Sequence, residues 1–150
     1  MRAIESPAGR LYLPASSGTD AAQDARRVAA ALPNARPCRL QILLEIRGAS
    51  AGAPAAFHYV VETEVLPECE DDFNAWYDEE HLAGLAAVPG TIRAVRYLRL
   101  DGSPKYGAFY ELVSREVLGS PAWLEVRATA WSSRVRPAFR NTTRVMYAMV

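Results

Sequence analysis

The chain alternates between two hydrophobic periods, and the switches mark its elements. Residues 57–65, FHYVVETEV, are rich in β-branched and aromatic side chains and end before Pro67, which predicts a strand. From Glu68 to Val88, Phe73, Trp76, Tyr77, His81, Gly84, Leu85 and Val88 recur at helical spacing and predict one helix. Glu68, Glu70, Asp71 and Asp72 suit its positive end, and Pro89-Gly90 stops it. TIRAVRYLRL and KYGAFYELV flank Asp101-Gly102-Ser103-Pro104, the pattern of a hairpin. Ser114 is the expected cap of a second helix through Glu116, Val117, Ala122, Trp123, Leu124 and Val126, its first turn made irregular by Gly119 and Pro121. A short helical or looping stretch is expected from Trp131 to Phe139, then a last strand from Thr142 to Met149.

The order β-α-β-β-α-β is the split βαβ or ferredoxin-like motif: an α+β fold of four antiparallel strands with both helices on one face. Its strands are apolar on both faces, since Val60 and Phe109 alternate with Tyr59, Val61, Ala108 and Tyr110. The helix-free face therefore needs a cover, and a homodimer is the expected provider. Residues 1–50 add RLYLP, an Ala-rich stretch with Asp20, Asp24, Arg26 and Arg27, and CRLQILLEIR. They read as a strand-helix-strand extension, or as a half-repeat of the second half of the motif, with no apolar segment in residues 1–7. Residues 48–54, GASAGAP, read as the linker to a domain over residues 55–150.

Composition narrows the function classes. The chain has 150 residues, of which 50% are hydrophobic and 23% charged, enough for one buried core and too apolar for disorder. Its 17 basic and 17 acidic residues cancel, so no dense basic patch points to nucleic acid or to a membrane surface. Cys38 and Cys69 make neither a disulfide framework nor metal-ligand spacing, which favours a reducing, cytoplasmic setting. No secretory leader and no run of about 18 apolar residues is visible, so the expectation is a soluble domain.

His81 is the leading candidate for chemistry, because imidazole titrates near neutrality and this one follows Tyr77 by four positions on the helix face of Phe73 and Leu85. Asp78 is placed to orient its ring, and Glu80 to project beside Trp76. On the first strand of the motif His58, Glu62 and Glu64 share a face; on the second, Arg93 and Arg99 alternate with Tyr97, and Arg96 lies opposite. A buried Glu-Arg pair competes there with an arginine that anchors a substrate carboxylate or enolate. Tyr59, Tyr106, Tyr110, Trp123, Trp131, Phe139 and Tyr147 supply core or a surface for a planar ligand. There is no Gly-rich phosphate loop, no zinc-binding His-Glu-x-x-His and no nucleophile elbow, and Cys69 has no nearby base.

The string DFNAWYDEEHLAGLAAVPG, with RYLRL, PKYGAFYEL and SPAWLE, resembles the dimeric α/β barrel superfamily, especially EthD-like and related small proteins. The matching positions are Trp76, Tyr77, Glu80, His81, Leu82, Val88, Pro89, Gly90, Arg96 and Tyr97, within residues 57–149. The resemblance implies the fold more than the chemistry, because such proteins include cofactor-free monooxygenases, cyclases, isomerases, dehydratases and haem proteins. The leading expectation is an enzyme without metal or organic cofactor that moves a proton in an apolar pocket, acting on a ketone-like or polyketide-like metabolite. His81, Tyr77 and Glu62 are its expected catalytic residues. Glu64, Trp76, Arg93, Arg96, Tyr97 and Tyr110 are its expected substrate-binding residues. The alternatives are a non-catalytic metabolite-binding protein and a haem protein with His81 or His58 as axial ligand.

Overall fold

A computed structural model describes residues 2–6, 9–13, 23, 30 and 36–149, with side chains described at 23, 30 and 38–149. The strands are β1 (Arg2–Ser6), β2 (Gly9–Leu13), β3 (Arg36–Arg47), β4 (Phe57–Val65), β5 (Thr91–Arg99), β6 (Tyr106–Leu112) and β7 (Phe139–Ala148). They pair in the order β2-β1-β3-β5-β6-β4-β7, every pair antiparallel. The run β7-β4-β6-β5 is the expected ferredoxin-like arrangement, with the first strand of the motif between the third and the fourth. The β5-β6 hairpin matches the expected turn at residues 101–104.

The N-terminal strands join this sheet rather than forming a separate layer. β3 pairs with β5 through Leu40–Arg47 and with β1 through Arg36–Arg39. β2 falls on the expected RLYLP strand, whereas β1 was not expected; it is held by antiparallel pairing to both β2 and β3, including Ile4 opposite Leu11. The expected helix around Asp20, Asp24, Arg26 and Arg27 lies outside the described residues. The supposed linker is tied down: the amides of Gly48 and Ser50 donate to the carbonyls of Ile92 and Thr91, and Ala49 donates to Ala86. A Cβ on Gly48 would stand 2.1 Å from the Thr91 oxygen, so glycine permits this approach.

The helical layer is more broken than its periodicity suggests. A 3-10 turn (Pro67–Cys69) leads into α1 (Glu70–Trp76), a π-helical turn over Tyr77–His81 follows, and α2 (Leu82–Ala86) completes the run. The second layer is a 3-10 turn (Arg115–Val117), α3 (Pro121–Arg127), α4 (Ala130–Val135) and a 3-10 turn (Arg136–Ala138). Ser114 is extended and caps nothing; Ser120 caps α3 instead, its Oγ accepting from the Trp123 amide at 3.3 Å, because Gly119 and Pro121 restart the helix there. Polar ties lace the layers: Asp72 accepts from Trp131 Nε1 (2.9 Å) and Arg134 (2.7 Å), and Glu80 accepts from Thr129 Oγ1 (2.6 Å).

Two apolar clusters lie on the two faces of the sheet. The helix-side cluster centres on Tyr59, Phe73, Trp76, Tyr77, Leu85, Tyr110 and Trp123. The other contains Val60, Val95, Tyr97 and Phe109, joined by Cys38 and Leu40 from β3. These last four motif residues are 3%, 1%, 0% and 1% exposed in the single chain. The centre of the face expected to stay open until a second subunit covered it is therefore buried in the single chain, with Cys38 and Leu40 of the N-terminal extension in its cluster, whereas Val145 on β7, opposite Val60, is exposed.

Candidate functional site

Helix-side aromatic residues enclose a small cavity beside the π-turn. It measures about 30 Å³, room for a water molecule or two, and its walls include Tyr59, Val61, Trp76, Tyr77, His81, Leu85, Tyr110, Trp123 and Phe139. Arg127, Arg136 and Arg144 complete the lining. The first two are half-buried and the third is exposed, so the arginines form the rim of an aromatic chamber.

The π-turn sets how His81 enters this chamber. An i→i+5 turn brings together residues five apart, and the His81 ring lies flat on Trp76, with centroids 4.0 Å apart and planes 22° apart. It meets Tyr77 edge-on at 5.3 Å. Trp76 is itself fixed, its Nε1 donating to the buried Ser132 hydroxyl at 3.2 Å. His81 is 7% exposed, and its Nδ1 is buried without a partner. Burial, with smaller contributions from Arg127 and Arg136, pushes its pKa down to about 3, so the imidazole is neutral at physiological pH.

The phenols are held neutral as well. Burial raises Tyr77 to about 12 and Tyr110 well above its usual value, and burial also raises Tyr59 despite Arg144 and Arg127. The Tyr77 and Tyr110 hydroxyls lie close enough to act on each other's ionisation, and Trp123 Nε1 is buried without a partner. The chamber thus offers unpaired polar atoms of a neutral imidazole and an indole, beside two neutral phenols, inside apolar walls.

Of the expected site residues, His81, Tyr77, Trp76 and Tyr110 come together here; the others do not reach the cavity lining. Glu62 lies on the opposite sheet face, accepting from Tyr97 Oη (2.8 Å) and Arg99 (2.9 Å). Strand alternation puts it and Tyr97 there, so the pair is the buried Glu-Arg alternative rather than part of this chamber. Glu64 accepts from Ser103 Oγ (2.7 Å) and the Lys105 amide (3.0 Å), bracing the hairpin turn. Arg93 bridges Glu111 (2.5 Å) and Glu45 (3.2 Å) on the far face. Arg96 is on the helix side, but it is engaged by Asp78 at 2.6 Å and by Asn74, with its guanidinium 4.8 Å over the Tyr77 ring. Asp78 thus holds Arg96 rather than the His81 ring, and Glu80 reaches Thr129 rather than Trp76. His58 is buried on the far face, 4.7 Å from the Phe109 ring.

The three rim arginines were not anticipated. Arg144 carried a signal, since it shares a face of β7 with Thr142 and Met146 and stands opposite Val61. Arg127 and Arg136 carried none, because the break between α3 and α4 decides where they point.

No protein-family model matches the chain, and no curated protein sequence matches it significantly. Solved structures do share its fold. A "putative monooxygenase" from Fusobacterium nucleatum subsp. nucleatum aligns with TM-score 0.63 at 12% identity over 88% of this chain and 61% of its own. A protein of the same description from Lactobacillus acidophilus NCFM gives 0.59 at 15% identity over 89% and 61%. An anthrone oxidase-like protein gives 0.54 at 16% identity over 89% and 63%. The fold is ferredoxin-like. The chain spans about three-fifths of the length of these structures, and at such identities the likeness concerns fold alone.

Proposed function

We propose that this chain is a small-molecule enzyme that moves a proton in the aromatic chamber without metal or organic cofactor, as a member of the EthD-like group of proteins. Among cyclisation, isomerisation, dehydration and cofactor-free oxygenation, the last is favoured by the monooxygenase and anthrone oxidase-like descriptions of its fold relatives. The observation that carries the reading is a neutral His81 with an unpartnered nitrogen in the chamber wall. Neutral imidazole accepts a proton from an acidic C–H of a ketone-like substrate; the C–H bond breaks and its electron pair remains as an enolate. That enolate reprotonates, closes a ring, expels a leaving group or reacts with dioxygen, according to the substrate. Tyr77 and Tyr110, kept neutral, serve as donors to the developing oxyanion.

Electrostatics couples the steps. Burial and the rim arginines oppose an imidazolium in the empty chamber, but an enolate formed beside it offsets those charges and raises the basicity of His81 when the substrate reacts. Glu62 drops out of the proposed catalytic set and Glu64, Arg93 and Tyr97 out of the substrate-binding set, and Arg96 becomes a support for Tyr77.

The test is to supply conjugated cyclic ketones in aerated buffer without added cofactor, and to follow oxygen uptake and product spectra. Conversion that requires the protein supports the reading. Binding without conversion favours the metabolite-binding alternative. For haem, the His81 ring lies flat on Trp76 and His58 is packed against Phe109, so neither ring is presented as an axial ligand as built. A homodimer and a cytoplasmic setting stay in the proposal. Light scattering at micromolar concentration should read twice 16.5 kDa, and a value of 16.5 kDa would remove the dimer.

A further inference from the structure

Arg127 at the end of α3, Arg136 in the last 3-10 turn and Arg144 on β7 come from three separate elements and meet at one chamber. Arg136 Nη1 donates to the Arg127 carbonyl at 3.3 Å, and Arg127 and Arg144 both act on Arg136 electrostatically. Among the described residues none of the three has a carboxylate within ion-pair distance. Elsewhere in the same fold arginines are neutralised: Arg93 by Glu45 and Glu111, Arg96 by Asp78, Arg99 by Glu62 and Arg134 by Asp72. Three like charges gathered without a counter-ion cost stability, and nothing in the packing of the apolar walls requires them. An anion between them removes that cost.

The inner part of the site selects for something else. Trp76, Tyr110, Trp123 and Phe139 line it with aromatic rings, and Trp123 Nε1 is buried there without a partner. A bare inorganic anion would satisfy the rim and leave these walls unused. A neutral ring system would use the walls and leave the rim charged.

We infer that the chamber takes an aromatic or conjugated small molecule bearing a carboxylate, its ring system directed toward Trp76 and Trp123 and its carboxylate held by Arg127, Arg136 and Arg144. This rests on the reading of the chamber as the substrate site. The fixed fork of each guanidinium matches a carboxylate, and the partial exposure of the rim side chains lets them swing to widen a cavity of about 30 Å³.

Calorimetric titration of the full chain with 2-naphthoate and with its neutral isostere 2-naphthamide tests the inference. 2-Naphthoate should bind at least about tenfold more tightly than the amide. Arg127→Gln and Arg144→Gln should each weaken 2-naphthoate by about tenfold and leave the amide within about twofold, and added salt should weaken 2-naphthoate alone. Thermal midpoints of both variants should not fall, because each substitution relieves repulsion, and this separates lost recognition from lost folding. Equal binding of acid and amide, insensitive to both substitutions, overturns the anionic class while leaving the chamber as the ligand site. Binding of acetate or inorganic phosphate as tight as that of 2-naphthoate overturns the aromatic part. Failure of both naphthalenes to bind at millimolar concentration overturns the inference and the substrate-site reading together.

Discussion

The His81 imidazole lies face to face with the Trp76 indole, at a centroid distance of 4.0 Å, because a π-helical turn joins them. In a regular α-helix residues three and four apart share a face, and Tyr77 would be the neighbour of His81. The π-turn instead seats the imidazole on a ring that Ser132 holds in place. Such turns occur often at functional sites. The stack therefore separates two roles of His81, shape and proton transfer.

His81→Phe should keep the stacked shape and lose the base. Turnover should fall about 100-fold or more, the scale of a general acid-base contribution, with the thermal midpoint at or above that of the parent. Steady-state kinetics on the folded variant checks this. Unchanged specific activity would show that His81 is there for packing.

The legible parts of this molecule were those set by local periodicity. Phe57–Val65, the hairpin around residues 101–104 and the helical run from Glu70 could be read because burial and turn chemistry repeat along the sequence. The π-turn could not: inserting one residue into a helix leaves the hydrophobic spacing almost unchanged, yet it moved His81 from Tyr77 toward Trp76 and freed Asp78 for Arg96. Strand alternation did show that Glu62 and Tyr97 stand on faces opposite to Tyr59 and Arg96. What it lacked was which face carries the chamber, since both are apolar. The rim arginines depend on three elements meeting, which no single segment encodes.

Asp78 should matter more than its half-exposed position suggests. Its partner Arg96 is 1% exposed and leans over the Tyr77 ring, and a buried guanidinium that loses its carboxylate carries an uncompensated charge. Asp78→Ala should destabilise by about 1–3 kcal/mol in urea unfolding, the exposure of Asp78 keeping the loss below that of a fully buried pair. Arg96→Met should be milder, because the carboxylate it leaves behind faces water. A larger loss from Arg96→Met would reverse this ordering.

Gly107 should resist any side chain. The Tyr97 ring lies across it, so a Cβ would stand 2.2 Å from Tyr97 Cζ, and the same placement lets the Tyr97 hydroxyl reach Glu62. Gly107→Ala should destabilise by about 1–3 kcal/mol through overpacking. Tyr97→Phe, which keeps the ring, should cost only about 1 kcal/mol. In a Tyr97→Ala background the Gly107→Ala penalty should shrink, which a double-mutant cycle would measure.

The low pKa of His81 makes stability depend on pH in a defined direction. The folded chain holds the imidazole near 3, against 6.5 when unfolded, so below pH 6.5 the unfolded chain takes up a proton that the folded one refuses. Stability should then fall as pH drops from about 6.5 toward 3, by about 1.4 kcal/mol per unit, and should be unaffected by His81 above that window. At pH 5 the loss is about 2 kcal/mol relative to pH 7. Asp72 and Glu70 have pKa values lowered by Arg134 and Lys105, so their protonation adds acid sensitivity in the carboxylate range, below the interval from pH 5 to pH 7. His58 is present in parent and variant alike and cancels in their difference. Urea unfolding of the parent and of His81→Phe between pH 5 and pH 7 should give curves that converge at pH 7 in slope and diverge toward pH 5, the parent losing more. Parallel curves would mean that His81 titrates in the folded chain much as it does in the unfolded one, and the neutral, desolvated imidazole on which the proposed proton transfer rests would be gone.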